Sequence, residues 1–207
     1  VDGGSNDGEA IGLAQELGLE VIVTDHHPIR NPAEGILLVH PDRPDRECLS
    51  VDRCGAGVAY KLAWAVAREA GGGGPVDEAT RDLLVEMSSF AALGTVADVV
   101  PLTGENRILV RHGLKILRST RRPGLEALMD LCGIDRTHIS SIDIGFRIAP
   151  HLNAAGRIAD ASSALELLTT REAHRGQELA REMATYNRRR KEIEDEMVEA
   201  CVEEVES

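Results

Sequence analysis

Glu20-Val21-Ile22-Val23-Thr24-Asp25-His26-His27 starts as a short β-branched run, of the kind buried in parallel sheets, and stops abruptly at three side chains that can do chemistry. Before it, Ala10, Leu13, Ala14 and Leu17 recur at i, i+3, i+4 and i+7, one face of a helix that Gly18 is placed to end. Asn6 and Glu9 have the spacing of a reciprocal cap for that helix. Val1-Asp2 reads as the end of an earlier strand, and Ile36-Leu37-Leu38-Val39 repeats the strand pattern downstream. Residues 1–40 are therefore predicted to form a parallel βαβ unit. The expected fold class is α/β, with ligands at the carboxyl ends of the strands.

The remainder reads as mainly helical. A helix over 54–70 is expected to turn Val58, Leu62, Ala65 and Val66 inward, and Gly71-Gly72-Gly73-Gly74-Pro75 follows as a surface loop. Asp77 is placed to cap a helix carrying Leu83, Leu84, Met87, Phe90 and Ala91, before Gly94 to Pro101 breaks the periodicity. Further helices are expected around 105–118, 123–132 and 161–168. Thr169 and Glu172 have capping-box spacing, and one helix from 171 to 206 would run about 54 Å. Its polarity and the rough heptad of Leu179, Met183, Tyr186, Ile193 and Met197 suggest a connector or coiled-coil arm. The expected organisation is a domain over 1–168 and a connecting helix over 169–207.

The 207 residues carry a formal charge of −12 and five aromatic side chains, which at face value argues against a nucleic-acid binder. Eight of the acidic groups lie in 192–207, which has no basic residue; without them the charge is −4. Arg188-Arg189-Arg190-Lys191 just before them is a basic turn, solvated or set against DNA. No apolar run approaches the length of a membrane span. The four cysteines show no paired spacing, so reduced thiols in a cytoplasmic protein are expected. A zinc site from His40, Cys48 and Cys54 is the alternative.

Adjacent parallel strand ends lie about 5 Å apart, so Asp2 and the Asp25-His26-His27 triplet can share one crevice. Carboxylates with imidazole suit Mn²⁺, Fe²⁺ or Zn²⁺, and Mg²⁺ where oxygen dominates. Two surface histidines in a loop would look the same. Asp98, between Thr95-Val96-Ala97 and Val99-Val100, is a carboxylate in an apolar stretch. Such a group, when buried, is paired or metal-bound, although a helix cap or an arginine partner would also explain it.

Asp2-Gly3-Gly4, Thr24-Asp25-His26-His27, Gly55-Ala56-Gly57-Val58-Ala59, Gly94-Thr95-Val96-Ala97-Asp98-Val99-Val100-Pro101-Leu102 and Asn153-Ala154-Ala155-Gly156-Arg157 occur in one order along the chain. In that order and spacing the sequence resembles the DHH phosphoesterase superfamily, and within it the RecJ-like exonuclease branch. The resemblance implies two-metal hydrolysis of single-stranded DNA from the 5′ end, in recombination and repair, with Mn²⁺ or Mg²⁺ as cofactor and two ions in the complete enzyme. It casts Asp2 as a bridging ligand, His26 and Asp98 as ligands of one ion, and Asp25 as a supporting carboxylate. His27 would face the scissile phosphate. Asn153 and Arg157 would lie in a loop near the active site, Arg157 touching phosphate. His151 stands where the family usually has arginine, and His40 replaces a common asparagine. The family's first Asp-x-Asp motif, its DHH-associated domain and its OB fold are not in these residues. The chain alone is thus expected to be inactive and to hold one Mn²⁺ weakly through Asp2, His26 and Asp98. The alternatives are a DHH phosphoesterase acting on short oligonucleotides or cyclic dinucleotides, and a non-catalytic scaffold binding DNA or replication proteins.

Overall fold

The computed structural model describes residues 1–30, 35–43 and 52–206. The chain packs as two compact units, Val1–Ile116 and Leu117–Ser207. It is an α/β fold with a small parallel sheet, a mainly helical remainder and a long last helix.

In the first unit, α1 (Gly8–Glu16) leads into β1 (Ile22–Thr24), which pairs in parallel with β2 (Leu37–Val39), Ile22 opposite Leu37 and Thr24 opposite Val39. α1 buries Ile11 while Leu13 and Leu17 stay exposed, so the helix is turned about 100° from the face its leucines suggest. The Asn6–Glu9 cap does not form, because Asp7 is the N-cap. Asn6 instead ties down the loop after β1, its Nδ2 donating to Pro28 O (3.1 Å) and its Oδ1 accepting from Arg30 N (2.7 Å). Asp2 N donates to Thr24 O (2.7 Å), but Asp2 has φ +58° and no strand is assigned at Val1-Asp2.

α2 (Gly55–Ala70) is capped by Cys54, whose Sγ accepts from Gly57 N (3.3 Å). Val58 is buried, whereas Ala65 and Val66, expected inward, are exposed. Asp77 caps α3 (Glu78–Ala97) as expected, accepting from Thr80 N (3.0 Å). α3 runs straight through Gly94-Thr95-Val96-Ala97, where the sequence suggests a break. The glycine there is steric: a Cβ on Gly94 would lie 2.5 Å from Ala56 Cβ, so it lets α2 and α3 cross closely. α4 (Gly104–Ser119) makes the same use of Gly113, where a Cβ would meet Ala92 Cβ at 2.3 Å.

The second unit is helical. α5 (Pro123–Leu131) is followed by a 3-10 turn (Arg136–His138), then α6 (Ser141–Asp143), a π-turn (Ile144–Ile148) and α7 (Ala149–Ile158) without a break. α8 (Ser162–Thr169) and α9 (Ala173–Glu206) complete it. Leu125, Leu128, Met129, Ile148, Leu167 and Met183 are fully buried and form its core. α9 spans about 51 Å and buries Gly176, Leu179, Ala180, Met183 and Asn187 from its first half only. The Thr169–Glu172 box does not form: Thr169 closes α8, donating to Leu165 O (2.8 Å), and Thr170 Oγ1 accepts from Glu172 N (3.2 Å). A capping box the sequence reading passes over forms at Ser140 and Asp143.

Candidate metal centre

β1 ends at Thr24, and the pairing carries one residue further, Asp25 N donating to Val39 O (3.1 Å). This delivers Asp25 into the interior, where it is 2% exposed. Its carboxylate accepts from Ser5 N (3.0 Å), from Ser5 Oγ, from the backbone N–H groups of His26 (2.7 Å) and His27 (3.1 Å), and from His27 Nδ1 (2.7 Å). Burial pushes the Asp25 carboxyl up, but the hydrogen bonds from Ser5 and His27 outweigh it and hold it well below the usual carboxylate range. Asp25 is thus an ionised post that closes the turn and orients the His27 ring. The same contact raises the His27 imidazole above its ordinary value.

His26, with 13% of its side chain exposed, stands between two carboxylates. Its Nε2 lies 3.2 Å from Asp2 Oδ1 and its Nδ1 lies 3.6 Å from Asp98 Oδ2. Asp2, His26 and His27 each offer one ligand atom, all within 4.8 Å of one another. Asp98 meets the far side of the His26 ring from Asp2. It is the C-cap of α3 with a side chain 44% exposed, not the embedded carboxylate expected from its apolar neighbours, because the chain turns outward at Val99 (φ +57°). The amino end of α2 comes up against Asp2: a Cβ on Gly55 would sit 1.9 Å from Asp2 Oδ1. The positive end of a helix there favours the carboxylate.

Three participants escape the sequence reading. Ser5, fully buried, reads in the sequence as a helix-capping residue beside Asn6 and Asp7; it serves Asp25 across 20 residues. His40 is buried and holds the turn from outside, its Nε2 against His27 O (2.8 Å) and its Nδ1 accepting from Asp42 N (3.0 Å). Gly55 carries a signal, the Gly55-Ala56-Gly57 run, without a stated use. The zinc alternative loses His40 to these two bonds and Cys54 to capping α2 and meeting Thr95 Oγ1 (3.5 Å). Cys48 lies outside the described residues.

Asn153 and Arg157 belong to the second unit, exposed on α7 rather than in a loop, since Ala154 and Ala155 give that segment a buried helical face. His151 is taken up locally, Nδ1 against Arg147 O (2.6 Å) and Nε2 against Asn187 Nδ2 (3.3 Å). The carboxylate and imidazole donors around His26 are of the kind that bind Mn²⁺, so the residues present fit a divalent ion.

Residues 1–95 match the DHH family, N-terminal domain. The single-stranded-DNA-specific exonuclease RecJ of Bacillus subtilis (strain 168) is 38% identical over 195 residues, covering 94% of this chain and 23% of that protein. RecJ of Thermus thermophilus is 40% identical over 185 residues, covering 88% of this chain and 25% of that protein. The crystal structure of RecJ from Thermus thermophilus in complex with Mn²⁺ superposes with a TM-score of 0.82 at 37% identity, covering 97% of this chain and 29% of that one. A second structure, of exonuclease RecJ bound to manganese, gives 0.81 at 37% identity and is 48% covered. The chain spans about a quarter of the curated relatives named. Among the described residues no helix is long and apolar enough to cross a membrane.

Proposed function

Because the chain belongs to the DHH family, we propose that residues 1–168 act as the DHH phosphoesterase domain of a RecJ-like exonuclease, with 169–207 a helix leading to a DHH-associated domain. The reaction is metal-dependent hydrolysis of single-stranded DNA from its 5′ end, in recombination and repair in the cytoplasm. One observation carries this reading: Asp2, His26 and His27 converge within 4.8 Å at the carboxyl edge of two parallel strands, over a buried, ionised Asp25. The relatives whose structures hold Mn²⁺ or Mg²⁺ support a divalent cofactor. Asp2 and His26 would hold the ion and Asp98 would ligate it or fix the His26 ring. Such an ion supplies charge neutralisation at a phosphodiester and a lowered pKa for water.

The chain's own residues then have separable tasks. Asp25 accepts from His27 Nδ1, which turns His27 Nε2 away from the post; in the protonated imidazole its N–H is available to a phosphate oxygen. The raised His27 pKa keeps that donor charged more often near neutral pH, favouring an anionic substrate. Asn153 and Arg157, from α7, would bind the strand and its phosphate. An OB fold in a longer protein would add an aromatic grip on DNA to a chain with five aromatic residues.

The test is digestion of 5′-labelled single-stranded DNA with Mn²⁺ by the protein carrying this segment. Asp98→Ala and His27→Ala should each slow nucleotide release by about 100-fold or more, while binding of the strand persists. Digestion by Asp98→Ala at the parental rate would overturn the reading.

A further inference from the structure

The first unit has a cleft of about 530 Å³ bounded by α2, α3 and α4, outside the metal cluster. Tyr60, Lys61, Trp64 and Arg68 of α2 line it together with Ile108 and His112 of α4. Tyr60, Trp64 and Arg68 recur every four residues, so they form one stripe along α2. Trp64 is the only tryptophan of the chain, and Ile108 is 68% exposed, an apolar side chain left in water at the cleft.

The rim is cationic in an otherwise acidic chain. Arg53 and Lys61 share a single carboxylate, Glu105 (Lys61 Nζ to Oε1 3.0 Å). Arg68 pairs with no carboxylate among the described residues; its Nη2 donates to Gly73 O (3.3 Å). Three positive side chains thus meet one negative one around an aromatic and aliphatic floor. An inorganic anion would leave Trp64 and Ile108 uncovered, and a purely apolar ligand would leave the cations unmatched. A planar aromatic group bearing a phosphate satisfies both, by stacking on Trp64 and by charge-assisted hydrogen bonds to Arg68 and Lys61. The volume is that of a small-ligand site.

We propose that this cleft is a second nucleotide-binding site, taking one base against Trp64 and its phosphate at Arg68 and Lys61. The nucleotide is either free or one unit of a single strand. α2 links the site to the candidate metal centre: Gly55 lies against Asp2, and Trp64 is nine residues on, about 14 Å along the helix. The site stands whether or not the cluster at His26 cleaves DNA.

Trp64 is its own reporter. The 207-residue chain is titrated with thymidine 5′-monophosphate, with an oligothymidylate and with inorganic phosphate, without metal, and tryptophan emission is followed. Saturable quenching by the nucleotide or the oligomer but not by phosphate is expected, weakened about tenfold or more by Arg68→Glu and by Tyr60→Ala. Oligomer binding at least about tenfold tighter than monophosphate binding assigns the site to a strand; equal affinities assign it to free nucleotide. Absence of saturable quenching, or quenching indifferent to Arg68→Glu, overturns the proposal. Asp98→Ala should leave the quenching intact, so loss of cleavage and loss of this site are read separately.

Discussion

Gly12 and Gly55 are both helical glycines, and the same substitution should have opposite consequences at the two. A Cβ on Gly12 meets nothing within 4 Å, so Gly12→Ala should stabilise α1 by about 0.5–1 kcal/mol through helix propensity. A Cβ on Gly55 would fall 1.9 Å from Asp2 Oδ1. What must yield there is the tip of an exposed side chain, so Gly55→Ala should cost little stability and displace a ligand instead. Calorimetry should show Mn²⁺ affinity reduced about 10- to 100-fold with the melting temperature nearly unchanged. A variant that melts early but binds Mn²⁺ as the parent does would show that Gly55 serves packing alone.

At the scale of elements, the capping box at Ser140 opens the helical run through α6, the π-turn and α7. Asp143 accepts from Ser140 N (3.0 Å), Ser140 Oγ (2.8 Å) and Arg147 Nη1 (3.0 Å). Burial alone would raise its carboxyl, but the bonds from Ser140 and Arg147 lower it. A depressed carboxyl stabilises the fold above the unfolded pKa of about 3.9 and loses that contribution as pH falls through the folded value. Asp143→Asn should therefore cost about 1 kcal/mol at neutral pH, and the difference from the parent should shrink in acid, as pH falls through the depressed folded value. Urea denaturation at neutral and at acid pH checks it; a difference of the same size at both would mean that charge is not involved.

The elements also show what one sequence can disclose. β1, β2, the cap at Asp77 and the length of α9 are legible because each depends on neighbours within a few residues. The failures share a physical cause, dependence on distant partners. Ser5 finds Asp25 across 20 residues and His40 finds His27 across 13, neither marked by any local pattern. Gly94 looks like a helix breaker, but close packing on Ala56 keeps it helical. Asp98 looks buried because its sequence neighbours are apolar, yet a helix end turns it outward. At the site, the Asp25-His26-His27 triplet and Asp2 are visible as types and positions. That Asp25 is the buried post while His26 bridges Asp2 and Asp98 is not.

For the whole molecule, the −12 charge with few aromatics speaks at face value against a nucleic-acid substrate. The fold distributes that charge. Its acidic excess lies along the exposed end of α9, while the first unit gathers carboxylates around His26 and cations around Trp64. The account rests on the cluster at His26 being a divalent-metal site. Its most direct test is Mn²⁺ titration of the chain labelled with ¹⁵N-histidine, following the ring resonances. His26 and His27 should broaden first, with His138 and His174 sharp although each already faces a carboxylate, and Asp2→Ala should abolish the selectivity. Equal broadening of His138 and His26 at every Mn²⁺ concentration would contradict the assignment.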